Sequence, residues 1–137
     1  MAFMDFTIDQ KLERDIVNAI NGEYSAIACY GQLIEMAPSE REKKIIREIR
    51  NDEIRHFHYI SAIYMLMMNR QPDPKITKKC PNNFTDGLKF AFEDEQETVD
   101  FYHEIADKAK HPYIQHLFRR AAADEQNHAV WFLSMMK

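Results

Sequence analysis

The chain has few of the residues that interrupt helices or build cysteine-rich folds. Its 137 residues include three glycines, five prolines and two cysteines. This scarcity leaves long windows in which helices can form without a break. Cys29 and Cys80 do not form a Cys-x-x-Cys pair, which excludes a rubredoxin-type iron site or a zinc ribbon in this sequence. We therefore expect free, reduced thiols without a catalytic part, and a cytoplasmic protein.

Other absences exclude whole classes of partner. No stretch approaches the roughly 20 apolar residues of a membrane span, and the N-terminus lacks the basic flank and apolar run of a signal peptide. The net charge is −4, with acidic and basic residues interspersed. A nucleic-acid binder would show a basic patch. We expect neither a membrane nor a nucleic acid as partner.

The sequence does contain an internal repeat. The segment 52–56, Asp-Glu-Ile-Arg-His, recurs at 124–128 as Asp-Glu-Gln-Asn-His, and the same shift places Glu23 on Glu95 and Tyr30 on Tyr102. In each half, a glutamate precedes the Glu-x-x-His motif by the same interval, from 23 to 53 and from 95 to 125. Residues three apart share one face of a helix, so the Glu and His of each motif can reach the same point. The pattern indicates a repeated two-helix unit.

The spacing of apolar residues predicts a single all-α domain, 1–137, with four helices. The first helix covers 7–37, with Thr7 or Asp9 as its cap, and the second covers about 40–69 behind a capping box at Ser39. The third follows Thr85 or Asp86, and Pro112 marks the turn to the fourth. The two-helix repeats are thus about 8–69 and 84–137.

The segment 70–83 between the two repeats predicts a long crossover, because it is rich in proline and asparagine. Fully extended, it is long enough to run the length of a helix. Such a connection would make helices 2 and 3 parallel neighbours. The expected fold is a four-helix bundle of two helical hairpins joined by this crossover.

Helix 3 carries three closely spaced glutamates, of which one is expected to face the core. Glu95 shares the apolar stripe of Val99 and Tyr102, whereas Glu93 and Glu97 point about 200° away from it at 100° per residue. The repeat selects Glu95 independently. Glu95 is therefore the predicted inward residue.

Four glutamates and two histidines would then meet inside the bundle. Four carboxylates in a dry core repel one another, and two divalent cations would cancel their charge. Ordinary ion pairs and hydrogen-bonded histidines are the alternative, but the exact repetition of the set disfavours it. Oxygen-rich sites with one imidazole per ion suit iron or manganese better than structural zinc.

These motifs resemble the di-iron carboxylate pattern of the ferritin-like proteins, and the chain is similar to their rubrerythrin branch without a rubredoxin domain. The resemblance implies two iron ions, with manganese or zinc as possible substitutes, and Glu53 and Glu125 as bridging ligands. Many rubrerythrins carry a further carboxylate three residues after Glu95, where this chain has Thr98. The implied metal ligands are Glu23, Glu53, His56, Glu95, Glu125 and His128.

Two further pairs of residues are candidates to support the metal ligands. Asp52 and Asp124 could accept the free N–H of a ligating histidine, or could be ordinary surface residues. Tyr30 and Tyr102 could donate hydrogen bonds to ligand carboxylates, or could be core tyrosines. We interpret both tyrosines, and the four glutamates acting through the metal centre, as the catalytic residues.

The resemblance also implies an activity. We expect a homodimer that reduces hydrogen peroxide or dioxygen with electrons from an external donor protein. The alternatives are a ferroxidase or iron storage protein, a di-iron oxygenase, and a metal-binding module without turnover. Gly22 and Gly31 lie near Glu23 within helix 1, where either close helix packing or small-molecule access would account for them.

Overall fold

The computed structural model describes residues 9–137, so the predictions for Thr7 and Ile8 lie outside the described residues. Four α-helices make up most of this part of the chain: α1 (Gln10–Met36), α2 (Glu40–Met68), α3 (Phe84–Lys108) and α4 (Pro112–Met135). No strand occurs in residues 9–137. The structure confirms the predicted all-α four-helix bundle.

The first helix begins after Asp9, one of its two predicted caps, and the second begins after the predicted cap Ser39. The Asp9 carboxylate accepts a hydrogen bond from the Leu12 N–H at 2.6 Å, which satisfies one of the unpaired donors of the first turn. The Ser39 hydroxyl oxygen accepts from the Glu42 N–H at 3.2 Å and the same hydroxyl donates to the Glu42 carboxylate at 2.8 Å. Residue Ser39 is therefore the cap of α2.

The cap of α3 differs from the prediction. Thr85 and Asp86 both lie inside the helix, and Asn83 is the capping residue. The Asn83 side chain accepts from the Asp86 N–H at 2.9 Å and donates to the Asp86 carboxylate at 2.8 Å. Asparagine is as good a cap as aspartate, and this reciprocal pair moves the start of the helix upstream.

The crossover runs alongside α1 in the same direction. Its Lys75 N–H donates to the Asn21 side chain at 2.9 Å, and its Thr77 N–H donates to the Ser25 hydroxyl at 2.9 Å. Residue numbers rise together on both segments, so the crossover carries the chain back along the bundle before α3 begins. Helices α2 and α3 are therefore parallel.

The prediction that α2 and α3 are neighbours is wrong. Helix α1 packs along α2 and α3 along α4, with further contacts between α1 and α3 and between α2 and α4. Helices α2 and α3 make no close backbone contact. Because the crossover lies on α1, it delivers α3 beside α1 and leaves α2 and α3 on a diagonal.

The prediction of free thiols is also wrong. Cys29 of α1 and Cys80 of the crossover form a disulfide, with their Cα atoms 5.2 Å apart. The long sequence separation hides this pair, which only the path of the crossover along α1 brings together. Structural disulfides are typical of oxidising compartments. The argument from reduced thiols to the cytoplasm therefore fails, and that location stays a prediction.

Among the helices of residues 9–137, none has the length and apolar content of a membrane span.

The core consists of two apolar clusters, one toward each end of the bundle. One contains Ile16, Ile60 and Phe118, and the other contains Leu33 and Phe132. The buried glutamates and histidines belong to neither cluster, although all four helices bury one or two of them. The apolar clusters thus hold the four helices in place on both sides of a polar layer.

Two glycines offer a matched test of helix packing. A Cβ added at Gly22 would meet nothing within 4 Å, whereas one added at Gly87 would overlap with the Leu33 side chain. We expect Gly22→Ala to stabilise the protein by about 0.5–1 kcal/mol, because alanine loses less backbone entropy in a helix. Gly87→Ala should destabilise it by about 1–3 kcal/mol through overpacking. Urea unfolding of both variants measures the difference, and equal shifts would contradict this packing.

Candidate metal centre

The structure brings all six predicted ligands together. Each is at most 3% exposed, so all six side chains are buried. Helices α1 and α3 each contribute one glutamate, while α2 and α4 each contribute the Glu and His of a Glu-x-x-His motif. The side chains are Glu23, Glu53, His56, Glu95, Glu125 and His128.

The cluster divides into two overlapping sets, each with atoms within 4.8 Å of one another. One set adds Glu23 and His56 to a shared pair of glutamates, and the other adds Glu95 and His128 to the same pair. The shared residues are those of the two Glu-x-x-His motifs, Glu53 and Glu125. Each set could hold one metal ion, and the two ions would then share these two carboxylates.

Both imidazoles direct Nδ1 toward the carboxylates. His56 Nδ1 lies 2.9 Å from Glu23 Oε2 and 2.9 Å from Glu125 Oε1. His128 Nδ1 lies 3.2 Å from Glu53 Oε1. The nitrogen that faces the cluster is thus the same in both halves, and it is the one available as a ligand.

The opposite ring nitrogens are held by aspartates from the other repeat. His56 Nε2 lies 2.9 Å from Asp124 Oδ2, and His128 Nε2 lies 2.7 Å from Asp52 Oδ2. A carboxylate in this position accepts the N–H of the ring and fixes which nitrogen carries the proton. Each predicted supporting aspartate therefore orients the histidine of the partner motif, across the α2–α4 contact.

Each aspartate is itself paired with an arginine. Arg55 contacts Asp52, and Arg120 Nε lies 3.5 Å from Asp124. Partial burial opposes ionisation of Asp124, but the hydrogen bond with His56 and nearby positive charges keep its pKa below the usual value. Asp124 thus remains a charged acceptor. The arginines were not predicted from the sequence, although helical spacing to each aspartate could have indicated them.

The two predicted tyrosines differ. The Tyr30 hydroxyl donates to Glu95 Oε1 at 2.6 Å, and this bond is buried. Burial and the charge of Glu95 raise the pKa of Tyr30 well above its usual value, so the hydroxyl keeps its proton. Tyr102 is equally buried, but its hydroxyl makes no hydrogen bond among the described residues. Its bond to a ligand carboxylate stays a prediction.

Buried polar atoms of the cluster lack hydrogen-bond partners, although they lie close together. One atom of each of the six residues is in this state, and Ser61 Oγ is the other such atom in residues 9–137. Buried polar groups are otherwise almost always paired, and each exception calls for an explanation such as an ion. The atoms are Glu23 Oε2, Glu53 Oε1, His56 Nδ1, Glu95 Oε2, Glu125 Oε1 and His128 Nδ1.

Without a metal, protons must balance the charge of the glutamates. Burial, reinforced by the charge of Glu53, raises the pKa values of Glu23, Glu95 and Glu125. Burial also opposes ionisation of Glu53, but its close contacts with both histidines hold its pKa well below the usual value. The metal-free cluster therefore carries protons on its glutamates, and a bound cation would displace them.

The pKa values of the two histidines also show that the cluster favours positive charge. Burial lowers their pKa values, yet the surrounding carboxylates raise that of His56 to about 12 and that of His128 to about 10. Both imidazoles are therefore protonated at neutral pH when no metal is bound. Divalent cations would replace these protons at Nδ1, so the donor set fits two metal ions of the kind that bind oxygen and imidazole.

A cavity of about 400 Å³ reaches the cluster beside Glu23. It lies between α1, the crossover and α3, and the sequence analysis did not predict it. Gly22 was the one signal, and its open surroundings now favour access over close packing. Its wall includes Asn18, Ala19, Asn21, Gly22, Glu23, Thr77, Lys78, Asp94, Thr98, Phe101 and Tyr102.

Two sequence comparisons show which proteins this chain is similar to. The family model Rubrerythrin matches residues 86–137, which include Glu95, Glu125 and His128. Over 125 residues the chain is 52% identical to the uncharacterized protein YhjR of Bacillus subtilis, covering 91% of this chain and 86% of YhjR.

Solved structures share the fold at low sequence identity. A hypothetical protein from Pyrococcus furiosus has a TM-score of 0.79 at 20% identity, with 96% of this chain and 91% of that chain covered. A conserved hypothetical protein from Mycobacterium tuberculosis gives 0.81 at 10%, covering 94% and 100%. A two-domain protein with DJ-1/ThiJ/PfpI-like and ferritin-like domains from Anabaena variabilis gives 0.70 at 14%, covering 90% and 38%.

Metal removal should destabilise the protein in a pH-dependent way. A glutamate whose pKa is raised in the folded state favours folding at low pH, and this contribution is lost as the pH rises through the raised value. Metal binding requires those protons to leave, so the affinity for metal increases as the pH rises. We expect a chelator to lower the melting temperature clearly at about pH 7 and much less at about pH 5. Identical melting curves with and without metal at neutral pH would contradict a clustered site.

Glu95 should be required for metal binding, whereas its neighbours should not. Glu95 is 1% exposed, while Glu93 and Glu97 lie on the exposed side of α3. Glu95→Ala removes one predicted ligand and one of four balancing charges, so at least one ion should bind far more weakly. Glu93→Ala and Glu97→Ala should keep full metal content and nearly unchanged stability. Iron per chain after reconstitution decides, and loss of metal in either neighbour variant alone would refute the assignment.

Proposed function

Since the chain belongs to the rubrerythrin branch of the ferritin-like di-iron carboxylate proteins, we propose that it is a peroxide-reducing enzyme. Its cluster would hold two iron ions and reduce hydrogen peroxide, or dioxygen, with electrons from a separate donor protein. The main support for this proposal is the pair of overlapping ligand sets that share Glu53 and Glu125. Two ions held by the same carboxylates can act together on one substrate, as two-metal sites do.

Iron is the proposed metal because of the donors that the chain offers. Each set provides three carboxylates and one imidazole, without sulfur. Zinc in structural sites prefers thiolates and imidazoles in closed tetrahedra, whereas carboxylate-rich sites suit iron and manganese. Manganese and zinc remain possible substitutes. Iron is preferred to zinc because peroxide reduction needs ions that change oxidation state, which zinc does not.

The protein's own groups position the metal ligands and control their charge. A bound iron pair would supply two electrons to break the O–O bond. Asp52 and Asp124 fix the two imidazoles with Nδ1 toward the carboxylates that would hold the ions. Tyr30 donates to Glu95 and so restricts the rotation of that carboxylate. These hydrogen bonds form in the absence of substrate, so the metal ligands are already oriented when substrate arrives. Such preorganisation favours catalysis.

Access to the cluster fits a small oxygen substrate. The cavity beside Glu23 opens at the surface near the exposed Asn18 and Thr77 and ends at buried Glu23 and Tyr102. A peroxide could therefore reach one side of the cluster without rearrangement of a helix. A second and smaller cavity, of about 200 Å³, borders His56 and Asp124.

We also propose that the chain forms a homodimer through α4. Three apolar side chains near the end of this helix are between 42% and 62% exposed: Val130, Trp131 and Leu133. Their neighbours Phe132 and Met135 point into the core. An exposed apolar group of this kind is typical of protein contact surfaces. Light scattering on a size-exclusion column distinguishes a dimer from both a monomer and the much larger shell of a storage protein.

Peroxide stoichiometry tests the proposed activity. The protein is loaded with ferrous iron under argon and titrated with hydrogen peroxide, and the oxidation of iron is followed by its visible absorption. We expect one peroxide to oxidise one iron pair, because two electrons break one O–O bond, and a chemical reductant to restore the starting state. Glu93→Ala is the matched control and should behave like the natural chain.

Other outcomes would favour other functions. Oxidation of many irons per chain by dioxygen, with growth of a mineral, would indicate ferroxidase and storage activity instead. No oxidation by peroxide, with both ions in place, would refute the proposal and indicate a metal-binding module without turnover.

A further inference from the structure

We infer that the cavity beside Glu23 is a pocket for an uncharged organic hydroperoxide, R–O–O–H. This rests on the proposed function and names a substrate class for it. The cavity measures about 400 Å³, within the range of about 300–1,000 Å³ that is usual for pockets of small organic ligands. A water-sized molecule takes up only about 30 Å³. The space is thus much larger than hydrogen peroxide needs.

Gly22 keeps this space open. The residue lies inside α1, where glycine weakens a helix relative to alanine. Packing does not explain it, because an added Cβ would meet nothing within 4 Å. Gly87 is the opposite case, since its Cβ would overlap with Leu33. A helical glycine that no neighbour requires, on the wall of a cavity that ends at a predicted ligand, indicates that the empty volume itself is used.

The wall of the pocket favours an uncharged ligand. Lys78 is the one cation among the described residues that line it, and it is paired with the largely buried Asp94. The Thr98 hydroxyl is also occupied, since it donates to the Asp94 carbonyl at 2.8 Å. No unpaired positive charge is therefore left to hold a carboxylate or phosphate. Ala19 and Phe101 supply apolar surface for the carbon part of the ligand.

The inner end of the pocket determines which end of the ligand reacts. Glu23 and Tyr102 are 2% and 1% exposed and form the buried end. The O–O–H group belongs there, with R toward the opening. The O–O bond breaks on taking up two electrons and two protons, which gives R–O–H and water. The electrons come from the iron pair, and the donor protein restores them.

Narrowing the pocket tests this inference. Gly22→Leu places a side chain in the open volume, and Gly22→Ala does so more mildly. Gly31→Ala is the matched control, because Gly31 lies on the same helix, next to Arg50 and outside the cavity. Two measurements are made on each protein. One is the rate at which cumene hydroperoxide and hydrogen peroxide oxidise the iron-loaded chain, and the other is binding of the product 2-phenyl-2-propanol to the metal-free chain by calorimetry.

We expect the natural chain and Gly31→Ala to react with both peroxides and to bind the alcohol. Gly22→Leu should lower the cumene hydroperoxide rate relative to the hydrogen peroxide rate by about tenfold or more, the scale on which steric fit in a pocket discriminates between substrates, and should abolish alcohol binding. Gly22→Ala should fall in between.

Two results would overturn the inference: equal slowing of both peroxides in Gly22→Leu, or no alcohol binding to the natural chain. If hydrogen peroxide oxidises the iron but cumene hydroperoxide does not, the inference fails and the proposed function stands. If neither peroxide oxidises it, both fail.

Discussion

The electrostatic repulsion among four buried carboxylates is the constraint on which the rest of the structure depends. Burying one unpaired charge is already costly, and here Glu23, Glu53, Glu95 and Glu125 converge in one layer. The fold tolerates this only with compensating positive charge, either as protons on glutamates and histidines or as metal cations. Apolar clusters above and below the layer supply the stability that the layer itself does not.

The repeat solves the problem of holding such a site rigid. Each half contributes one glutamate, one Glu-x-x-His motif and one aspartate, but the supporting bonds cross between the halves. Asp52 holds His128 and Asp124 holds His56, while Tyr30 of the first half holds Glu95 of the second. Neither hairpin can therefore complete its own ligand shell. Folding of the site requires that the two hairpins dock, which couples the carboxylate layer to the whole bundle.

The fold and the meeting of the six cluster residues could be predicted from the sequence because both depend on periodicity. Helical spacing places Glu53 with His56, and the repeat identifies Glu95 among three glutamates. Features that depend on the crossover were not predictable in this way. The Cys29–Cys80 disulfide, the diagonal placement of α2 and α3, and the cavity beside Gly22 all follow from the path of residues 69–83, which has no period of its own. The cap at Asn83 was missed because Asp86 is an equally plausible residue type, and only the geometry separates them.

The central claim is that two metal ions lie in one carboxylate layer and share Glu53 and Glu125. The most direct measurement is a crystal structure of the iron-reconstituted protein with anomalous diffraction data collected at the iron absorption edge. We expect two anomalous peaks per chain, one beside Glu23 and His56 and the other beside Glu95 and His128, with the shared glutamates between them. A single peak, or iron bound elsewhere while the six side chains keep their contacts, would contradict it.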